Sequence, residues 1–245
     1  MLHNIIYLPE TGSTNLYLSE LAVSELPEEG TAVWTDNQKA GRGQSGNTWE
    51  STPGMNLTFS MILYPEFLPI RHQFMLSKAV GLAMADFSGS MGVPEVTVKW
   101  PNDLYAGNKK MAGILIETAL SRDIMKHAII GIGLNVNQAK FSDNIPNPVS
   151  LINFTGKVIA PESLLPPILD FIIKRYEQLR DGHYDKINND YQNNLYRYGI
   201  SSRFRDKNGI FSGTIIEISN DGRLLIKKAE DGIVHKYWLK EVEFL

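Results

Sequence analysis

The chain has 245 residues, and 43% of them are hydrophobic. This content is enough to bury a sizeable core, which excludes a disordered chain and favours one large domain with one small one. The net charge is −3, whereas nucleic-acid-binding proteins commonly have a basic surface. We therefore expect no nucleic-acid partner. No cysteine is present, which excludes disulfides and thiolate metal sites. Because no stretch reaches the ~18 apolar residues of a membrane span, and the N-terminal apolar patch is too short for a secretory signal, we expect a cytoplasmic protein without membrane partners.

The first two thirds of the chain alternate strand-like and helix-like segments. Hydrophobic periodicity predicts, in chain order, a strand at 4–8, a helix at 16–26 capped by Ser13, strands at 31–35 and 55–64, a helix at 68–87, strands at 96–99, 103–106, 110–119 and 127–136, and helices at 161–182 and 184–196. Residues 36–54 are rich in Gly, Ser, Thr and Asn and have no periodicity. A loop of this length without regular structure is usually functional or disordered. The pattern predicts an α+β fold with a mixed sheet and flanking helices.

The last part of the chain has a different character. Strands are predicted at 201–205, 211–218, 223–228 and 232–237, and turn residues separate them. Short strands at this spacing predict a small β-barrel with an aromatic core of Phe211, Tyr237, Trp238 and Phe244. We therefore predict two domains, residues 1–196 and 197–245.

The segment Gly41-Arg42-Gly43-Gln44-Ser45-Gly46-Asn47-Thr48-Trp49 is the most informative one. Closely spaced glycines let backbone N–H groups converge on an anion, while Arg42 adds a forked cationic donor. The segment lacks the Gly-Lys-Ser/Thr of a nucleotide-binding P-loop and precedes a strand rather than a helix. A phosphate or carboxylate clamp and a flexible surface turn therefore stay equally open.

Two further segments place charged groups at strand ends. Lys99-Trp100-Pro101-Asn102-Asp103-Leu104 could hold a polar group and a magnesium ion at Asp103, although Asn102 and Asp103 are also ordinary turn residues. Lys110 opens an apolar strand whose Ala112 and Gly113 leave room for a ligand close to the backbone. A lysine there suits phosphoryl or adenylyl transfer, whereas the alternative is a strand-end lysine that reaches water, as we expect for Lys109.

Glycines and small polar residues mark two more candidate contacts. Gly131 and Gly133 weaken a predicted strand, which indicates that something packs on its backbone, with Asn135 available to orient a polar group. A bulge inside a buried sheet is the alternative. The segment Gly12-Ser13-Thr14-Asn15 offers a small polar pocket at a helix start or simply caps that helix. The five histidines show no spacing typical of a metal site or a catalytic triad.

These segments in this order, GSTN, QKAGRGQSGNTW, KWPND with KKMAGILIE, and GIGLN, resemble the catalytic domain of biotin protein ligases. The C-terminal barrel is similar to the SH3-like domain of the same family. The resemblance implies a class II synthetase-like catalytic domain. It also implies ATP-dependent activation of biotin to biotinyl-5'-AMP with loss of pyrophosphate, followed by transfer of biotin to a lysine of an acceptor protein.

The resemblance also implies roles for individual residues. Lys110 and Arg42 would be catalytic. Biotin would bind to Ser13, Thr14, Asn15, Gln38, Gly41, Arg42, Gly43, Gln44, Lys110, Gly113, Gly131 and Gly133. ATP and the adenylate would bind to Arg42, Trp49, Lys99, Asn102 and Asn135, with Mg²⁺ at Asp103.

The same resemblance implies partners for this chain, and it shows where the chain differs from other members of the family. The implied acceptor is the biotin carboxyl carrier protein or domain of acetyl-CoA carboxylase or a related carboxylase, and a homodimer is possible. Many relatives have arginines where this loop has Gln44, Ser45 and Asn47, so the clamp carries one cation. Many also carry an N-terminal DNA-binding domain, which we expect to be missing here. The alternatives are a lipoate ligase or octanoyltransferase of the same fold, and a non-catalytic biotin- or nucleotide-binding module.

Overall fold

Two β-sheets organise the structure, which is a computed structural model describing residues 3–121, 124–143 and 145–245, with only the backbone at Ser45. The first two residues of the predicted large domain lie outside the described residues. The predicted α+β class, with a large mixed sheet, flanking helices and a separate C-terminal sheet, is confirmed. Within the described residues, no helix combines the length and the apolar character needed to cross a membrane.

The large sheet contains seven strands in the order β1-β2-β3-β7-β6-β5-β4. Strands β1 and β2 are parallel, and the other neighbours are antiparallel. The strands are β1 Ile5–Thr11, β2 Ala32–Gln38, β3 Leu57–Leu63, β4 Val96–Lys99, β5 Asp103–Ala106, β6 Lys109–Ser121 and β7 Ile124–Leu134. The helices are α1 Thr14–Ser24, α2 Phe74–Ser90, α3 Ile152–Thr155, α4 Leu165–Arg180 and α5 Tyr184–Asn193.

Helices cover both faces of this sheet. Because side chains alternate along a strand, successive residues face opposite layers. On one side, Val33, Ile62 and Ile129 pack with Leu18 of α1. On the other side, Met61 and other alternate residues join the main core beneath α2 and α4. Burial on both faces explains why all seven residues of β3 are buried and most of them are apolar.

Helix starts were the least accurate part of the sequence prediction. Helix α2 begins at Phe74 rather than residue 68, because Leu68 precedes a proline and residues Ile70–His72 form a 3₁₀ turn. Helix α4 likewise follows a 3₁₀ turn at Pro161–Leu164. Helix α5 ends at Asn193, three residues before the predicted end. The short helix α3 was not predicted.

The C-terminal sheet has five antiparallel strands in the order β11-β10-β9-β8-β12. They are β8 Ser201–Asp206, β9 Gly209–Ile218, β10 Leu224–Lys228, β11 Val234–Tyr237 and β12 Val242–Phe244, the last of which was not predicted. Phe211 and Tyr237 are buried as expected. Trp238 is 51% exposed, so its assignment to the core was wrong. The guanidinium of Arg223 lies over the Trp238 ring and covers one of its faces, although the ring is at the surface.

The two sheets meet through specific hydrogen bonds. Trp100 donates its indole N–H to the carbonyl of Gly222, in the turn between β9 and β10, at 2.8 Å. The Nζ of Lys78 on α2 donates to the carbonyl of Ile218 at 3.0 Å and to Asn188 Oδ1 on α5 at 2.8 Å. The predicted domain boundary after residue 196 stays a prediction.

Lys78 links stability to pH. The side chain is 3% exposed, and burial lowers the pKa of its amine to about 8, against a smaller opposing effect of Glu217. Between pH 8 and 10.5 the unfolded chain therefore binds more protons, so folding stability attributable to Lys78 rises with pH, by up to about 1.4 kcal/mol per pH unit. We expect the difference in unfolding free energy between wild type and Lys78→Met to show this slope in denaturant titrations.

The control is Lys174→Met, which removes an exposed lysine from α4. That variant should parallel the wild type over the same pH range. A wild-type minus Lys78→Met difference that stays flat between pH 8 and 10.5 would contradict the assignment.

Candidate functional site

One cavity collects residues from all the segments singled out in the sequence. It has a volume of about 120 Å³ and lies between the start of α1, residues 42–49 and strands β3, β5, β6 and β7. The predicted residues that line it are Ser13, Thr14, Asn15, Gln38, Arg42, Gly43, Gln44, Trp49, Asn102, Asp103, Lys110, Gly113, Gly131 and Gly133. The structure therefore brings most of the predicted site together.

The glycine-rich segment forms a short hairpin over this cavity. Gly43 N–H donates to the Asn47 carbonyl at 2.7 Å, and Trp49 N–H donates to the Gly41 carbonyl at 3.0 Å. A Cβ at Gly41 would lie 2.2 Å from the carbonyl oxygen of Trp49, so the hairpin closes only with glycine there. Gly41 thus shapes the hairpin and does not line the cavity.

Side chains lie directly on the glycine backbone of β6 and β7. A Cβ at Gly133 would lie 2.1 Å from the indole of Trp49, and one at Gly113 would lie 3.1 Å from the same ring. The Trp49 Nε1 and Gln44 Oε1 atoms are buried and find no hydrogen-bond partner among the described residues. A buried polar atom left unpaired is costly, so these two atoms indicate a ligand with polar groups.

A polar network occupies the end of the cavity at α1. Gln38 Oε1 accepts from the backbone N–H of Thr14 at 2.9 Å and lies 3.3 Å from its hydroxyl. Ser60 Oγ lies 2.7 Å from Thr14 Oγ1 and 2.5 Å from Asn15 Oδ1. Ser13 accepts from Leu16 N–H, so the predicted N-cap is confirmed. The capping and pocket interpretations of this segment therefore coexist.

Glu117 was not predicted, although it contacts two predicted residues. Its carboxylate accepts from Asn15 Nδ2 at 2.8 Å and pairs with Arg42 Nη2 at 2.8 Å. Ser60 was missed for a related reason, since it is one of two polar residues, with Thr58, in the buried strand LTFSMIL. These two polar residues in a buried strand were the available signal.

The second cation of the site is also paired. Lys110 Nζ lies 2.7 Å from Asp103 Oδ1 and 5.9 Å from the centre of the Trp49 ring. The backbone of Lys110 bonds to Asn147 and Val149, which fixes the strand end that carries the amine. Asn102 Nδ2 donates to the Ile114 carbonyl at 2.8 Å, so its side chain fastens the KWPND turn to β6.

Two more predicted contacts, besides Gly41, lie outside the cavity lining. Asn135 is buried, and its Nδ2 donates to the Val149 carbonyl at 3.2 Å. Lys99 Nζ lies 4.7 Å from the Tyr105 ring centre and 5.1 Å from that of Phe244. Burial lowers the pKa of Lys99, against an opposing effect of Asp103. Asn135 thus holds a backbone carbonyl and Lys99 packs on aromatic rings, and their ligand roles stay predictions.

Comparisons with known proteins match the part of the chain that contains this cavity. The model of the biotin/lipoate A/B protein ligase family matches residues 7–135, which include every residue that lines it. The chain is 31% identical over 245 residues to the bifunctional ligase/repressor BirA of Bacillus spizizenii, covering 98% of this chain and 74% of that protein. It is 28% identical over 232 residues to the biotin–[acetyl-CoA-carboxylase] ligase of Paracoccus denitrificans, covering 90% and 92% of the two chains.

A solved structure extends the similarity to the whole chain. The biotin protein ligase from Aquifex aeolicus in complex with biotin and ATP has a TM-score of 0.80 and 28% identity, covering 100% of this chain and 99% of that one.

The packing of Trp49 on Gly133 gives a test of the site that needs no ligand. We expect Gly133→Ala to lower the unfolding free energy by about 1–3 kcal/mol, because the new methyl group overlaps the indole. In a Trp49→Ala background the same change should cost much less, and denaturant unfolding of the four proteins measures this coupling.

Gly131→Ala is the matched control, since its Cβ would lie 2.2 Å from Asn15 Oδ1 rather than near Trp49. Its cost should add to that of Trp49→Ala. Equal costs of Gly133→Ala in both backgrounds would contradict the packing described here.

Proposed function

The chain belongs to the biotin/lipoate A/B protein ligase family, and from this premise we propose that it is a biotin protein ligase. It activates biotin with ATP to biotinyl-5'-AMP and transfers the biotinyl group to a lysine of a carrier protein. The named relatives support this proposal, since one is a biotin–[acetyl-CoA-carboxylase] ligase and another is a ligase in complex with biotin and ATP.

One juxtaposition supports this function most directly. Lys110 and Arg42, two cations from distant parts of the chain, line the same cavity as a polar network at α1. The cations suit a carboxylate and a phosphate, and the network suits a neutral polar head group. A molecule with a polar head and a carboxylate tail, such as biotin, matches both ends.

The network at α1 matches the ureido ring of biotin. Both hydrogens of Asn15 Nδ2 are directed at protein acceptors, Glu117 Oε2 at 2.8 Å and the Leu115 carbonyl at 3.4 Å. The side chain can therefore offer a ligand only an acceptor, Oδ1, which suits a ureido N–H. The hydroxyl of Ser13, whose oxygen accepts from Leu16 N–H, would donate to the ureido carbonyl. Thr14 donates its hydroxyl hydrogen to Gln38 and would therefore offer the ring only its oxygen.

Electrostatics account for both chemical steps. In the first, a carboxylate oxygen of biotin attacks the α-phosphorus of ATP, the bond to the bridging oxygen breaks, and pyrophosphate leaves. Lys110 and Arg42 offset the repulsion between these two anions and stabilise the charge that develops on the phosphate. In the second, a neutral lysine amine of the acceptor attacks the carbonyl of the mixed anhydride and AMP leaves. Lys110 then stabilises the departing phosphate.

The donor set fits a magnesium ion that takes most of its ligands from phosphates and water. Among the described residues no cluster of three or more His, Asp or Glu side chains could hold a metal alone. Mg²⁺ commonly uses one or two protein carboxylates together with substrate phosphates. Asp103 would supply that carboxylate, and the ion would neutralise phosphate charge when ATP is bound.

Several finer assignments belong to the same proposal. We assign the acceptor as the biotin carrier of acetyl-CoA carboxylase, the enzyme in the name of the Paracoccus denitrificans relative. A cytoplasmic location fits the cysteine-free sequence and the need for ATP. The domain division at residues 196 and 197, the possible homodimer and the absence of a nucleic-acid partner stay predictions.

The polar network favours biotin over lipoate. The dithiolane ring of lipoate has neither N–H nor carbonyl groups, so it would leave the buried polar atoms around Asn15, Thr14 and Ser60 without ligand partners. A purely non-catalytic binding module would have little use for Lys110 beside Asp103.

Biotin-dependent exchange of labelled pyrophosphate into ATP with Mg²⁺ tests the function. We expect exchange with biotin and none with lipoate at equal concentration. Exchange with lipoate alone would move the chain to the lipoate branch of the family. Exchange with neither acid would favour the binding module.

Lys110→Ala tests the catalytic assignment. Lys110 lies at a strand end and only part of its side chain is buried, so we expect the variant to fold normally. Pyrophosphate exchange should fall by about 10²-fold or more, as for removal of a single electrostatic group in other enzymes. The exposed neighbour gives the matched control, Lys109→Ala, which should keep wild-type exchange. Wild-type exchange by Lys110→Ala would exclude this role.

A further inference from the structure

Glu117 is an acidic side chain beside a cavity that, under the proposed function, receives two anionic groups. An unpaired carboxylate there would repel both the carboxylate of biotin and the phosphates of ATP. Its presence therefore calls for a role that outweighs this repulsion. The described contacts of Glu117 supply one, because each of its oxygens bonds to a different element of the site.

One oxygen orients Asn15. Glu117 Oε2 accepts from Asn15 Nδ2 at 2.8 Å, while Asn15 Oδ1 accepts from Ser60 Oγ at 2.5 Å. A carboxylate can only accept, so it distinguishes the two ends of the amide and excludes the flipped orientation. Asn15 is 4% exposed and lies against the backbone of Gly131, which leaves little room for another arrangement.

The other oxygen holds the hairpin. Glu117 Oε1 pairs with Arg42 Nη2 at 2.8 Å, although the arginine side chain is 52% exposed and the carboxylate 34%. An ion pair this exposed adds little to global stability. It is nevertheless sufficient to bias an exposed side chain towards one position, here the position at the cavity.

We propose that Glu117 is a positioning residue that prepares both ends of the biotin site. It presents Asn15 Oδ1 as an acceptor for a ureido N–H, and it keeps Arg42 beside the cavity before the acid binds. This inference rests on the proposed function and adds to it a determinant of selectivity for an acid whose head group carries N–H donors.

Glu117→Gln is the test, because the amide keeps the size and shape of the side chain but can either donate or accept. Only the longer contact with the Leu115 carbonyl, at 3.4 Å, then distinguishes the two orientations of Asn15. We expect the Kd for biotin, measured by calorimetry without ATP, and the KM for biotin in pyrophosphate exchange to rise about tenfold. The kcat at saturating biotin and ATP should stay close to wild type, because the bound anions then hold Arg42, and the thermal unfolding midpoint should also stay unchanged. A merely structural role would instead lower the unfolding midpoint.

Glu10 gives a matched control on the surface. Its carboxylate likewise accepts from an asparagine, Asn37 at 2.9 Å, and pairs with a cation, Lys39 at 2.5 Å, but it does not line the cavity. Glu10→Gln should leave the Kd and KM for biotin unchanged. A loss equal to that of Glu117→Gln would show a general effect of charge removal and overturn the proposal.

Two further variants separate position from charge. Glu117→Asp keeps the charge but withdraws it by one methylene, so biotin affinity should fall as in Glu117→Gln, and wild-type affinity would overturn the positioning role. In an Arg42→Ala background, the effect of Glu117→Gln should shrink, because only the contact with Asn15 remains to be lost.

The outcomes distinguish this inference from the function on which it rests. If the wild type binds no biotin and supports no exchange, the proposed function fails and this role fails with it. If the wild type does both and Glu117→Gln binds biotin equally well, only the role of Glu117 fails. Tighter binding by Glu117→Gln would show that Glu117 competes with the ligand for Arg42, which also overturns the proposal.

Discussion

The cavity depends on how closely side chains approach the backbone of strands β6 and β7. Trp49 lies against Gly113 and Gly133, and the amide of Asn15 lies against Gly131. A single methyl group at Gly131 or Gly133 would overlap these side chains, so the glycines fix the depth of the site. Glycine destabilises a strand because it has no side chain to pack and gains more conformational freedom on unfolding. Here this cost is offset, because the glycines make room for aromatic and polar side chains in the middle of the sheet.

Charge balance is the second constraint. Arg42 is paired with Glu117 and Lys110 with Asp103, so both cations of the cavity have carboxylate partners before any ligand is bound. The pairs hold each cation in place and balance its charge. Incoming anions must share these cations with the carboxylates. Within the part of the chain that the structure describes, Trp49 Nε1 and Gln44 Oε1 have no such partners, and a ligand would satisfy them.

The site residues that could be predicted from the sequence are those whose residue type destabilises the predicted element at that position. Glycines inside strands and a long loop without periodicity both carry such a signal, and Gly113, Gly131, Gly133 and Arg42 indeed line the cavity. Glu117 carried no comparable signal, because a glutamate late in a strand is ordinary until its partners from α1 and the hairpin are known. Asn135 shows the converse, since a residue beside a functional strand can use its amide to hold neighbouring carbonyls. Three-dimensional proximity between distant segments is what sequence patterns do not encode.

The hydrogen bond between Trp100 and Gly222 connects the C-terminal sheet to the turn that leads into the cavity, so that sheet supports the cavity from outside. Trp100 is buried and is separated by one residue from Asn102 and by two from Asp103, so the turn that carries these side chains is braced from outside the large sheet. A protein shortened before β9 would lose this acceptor and would expose the indole of Trp100, which is buried here. Removal of the C-terminal sheet would therefore loosen Asp103, the carboxylate that positions Lys110, even when the chain is cut far from the cavity.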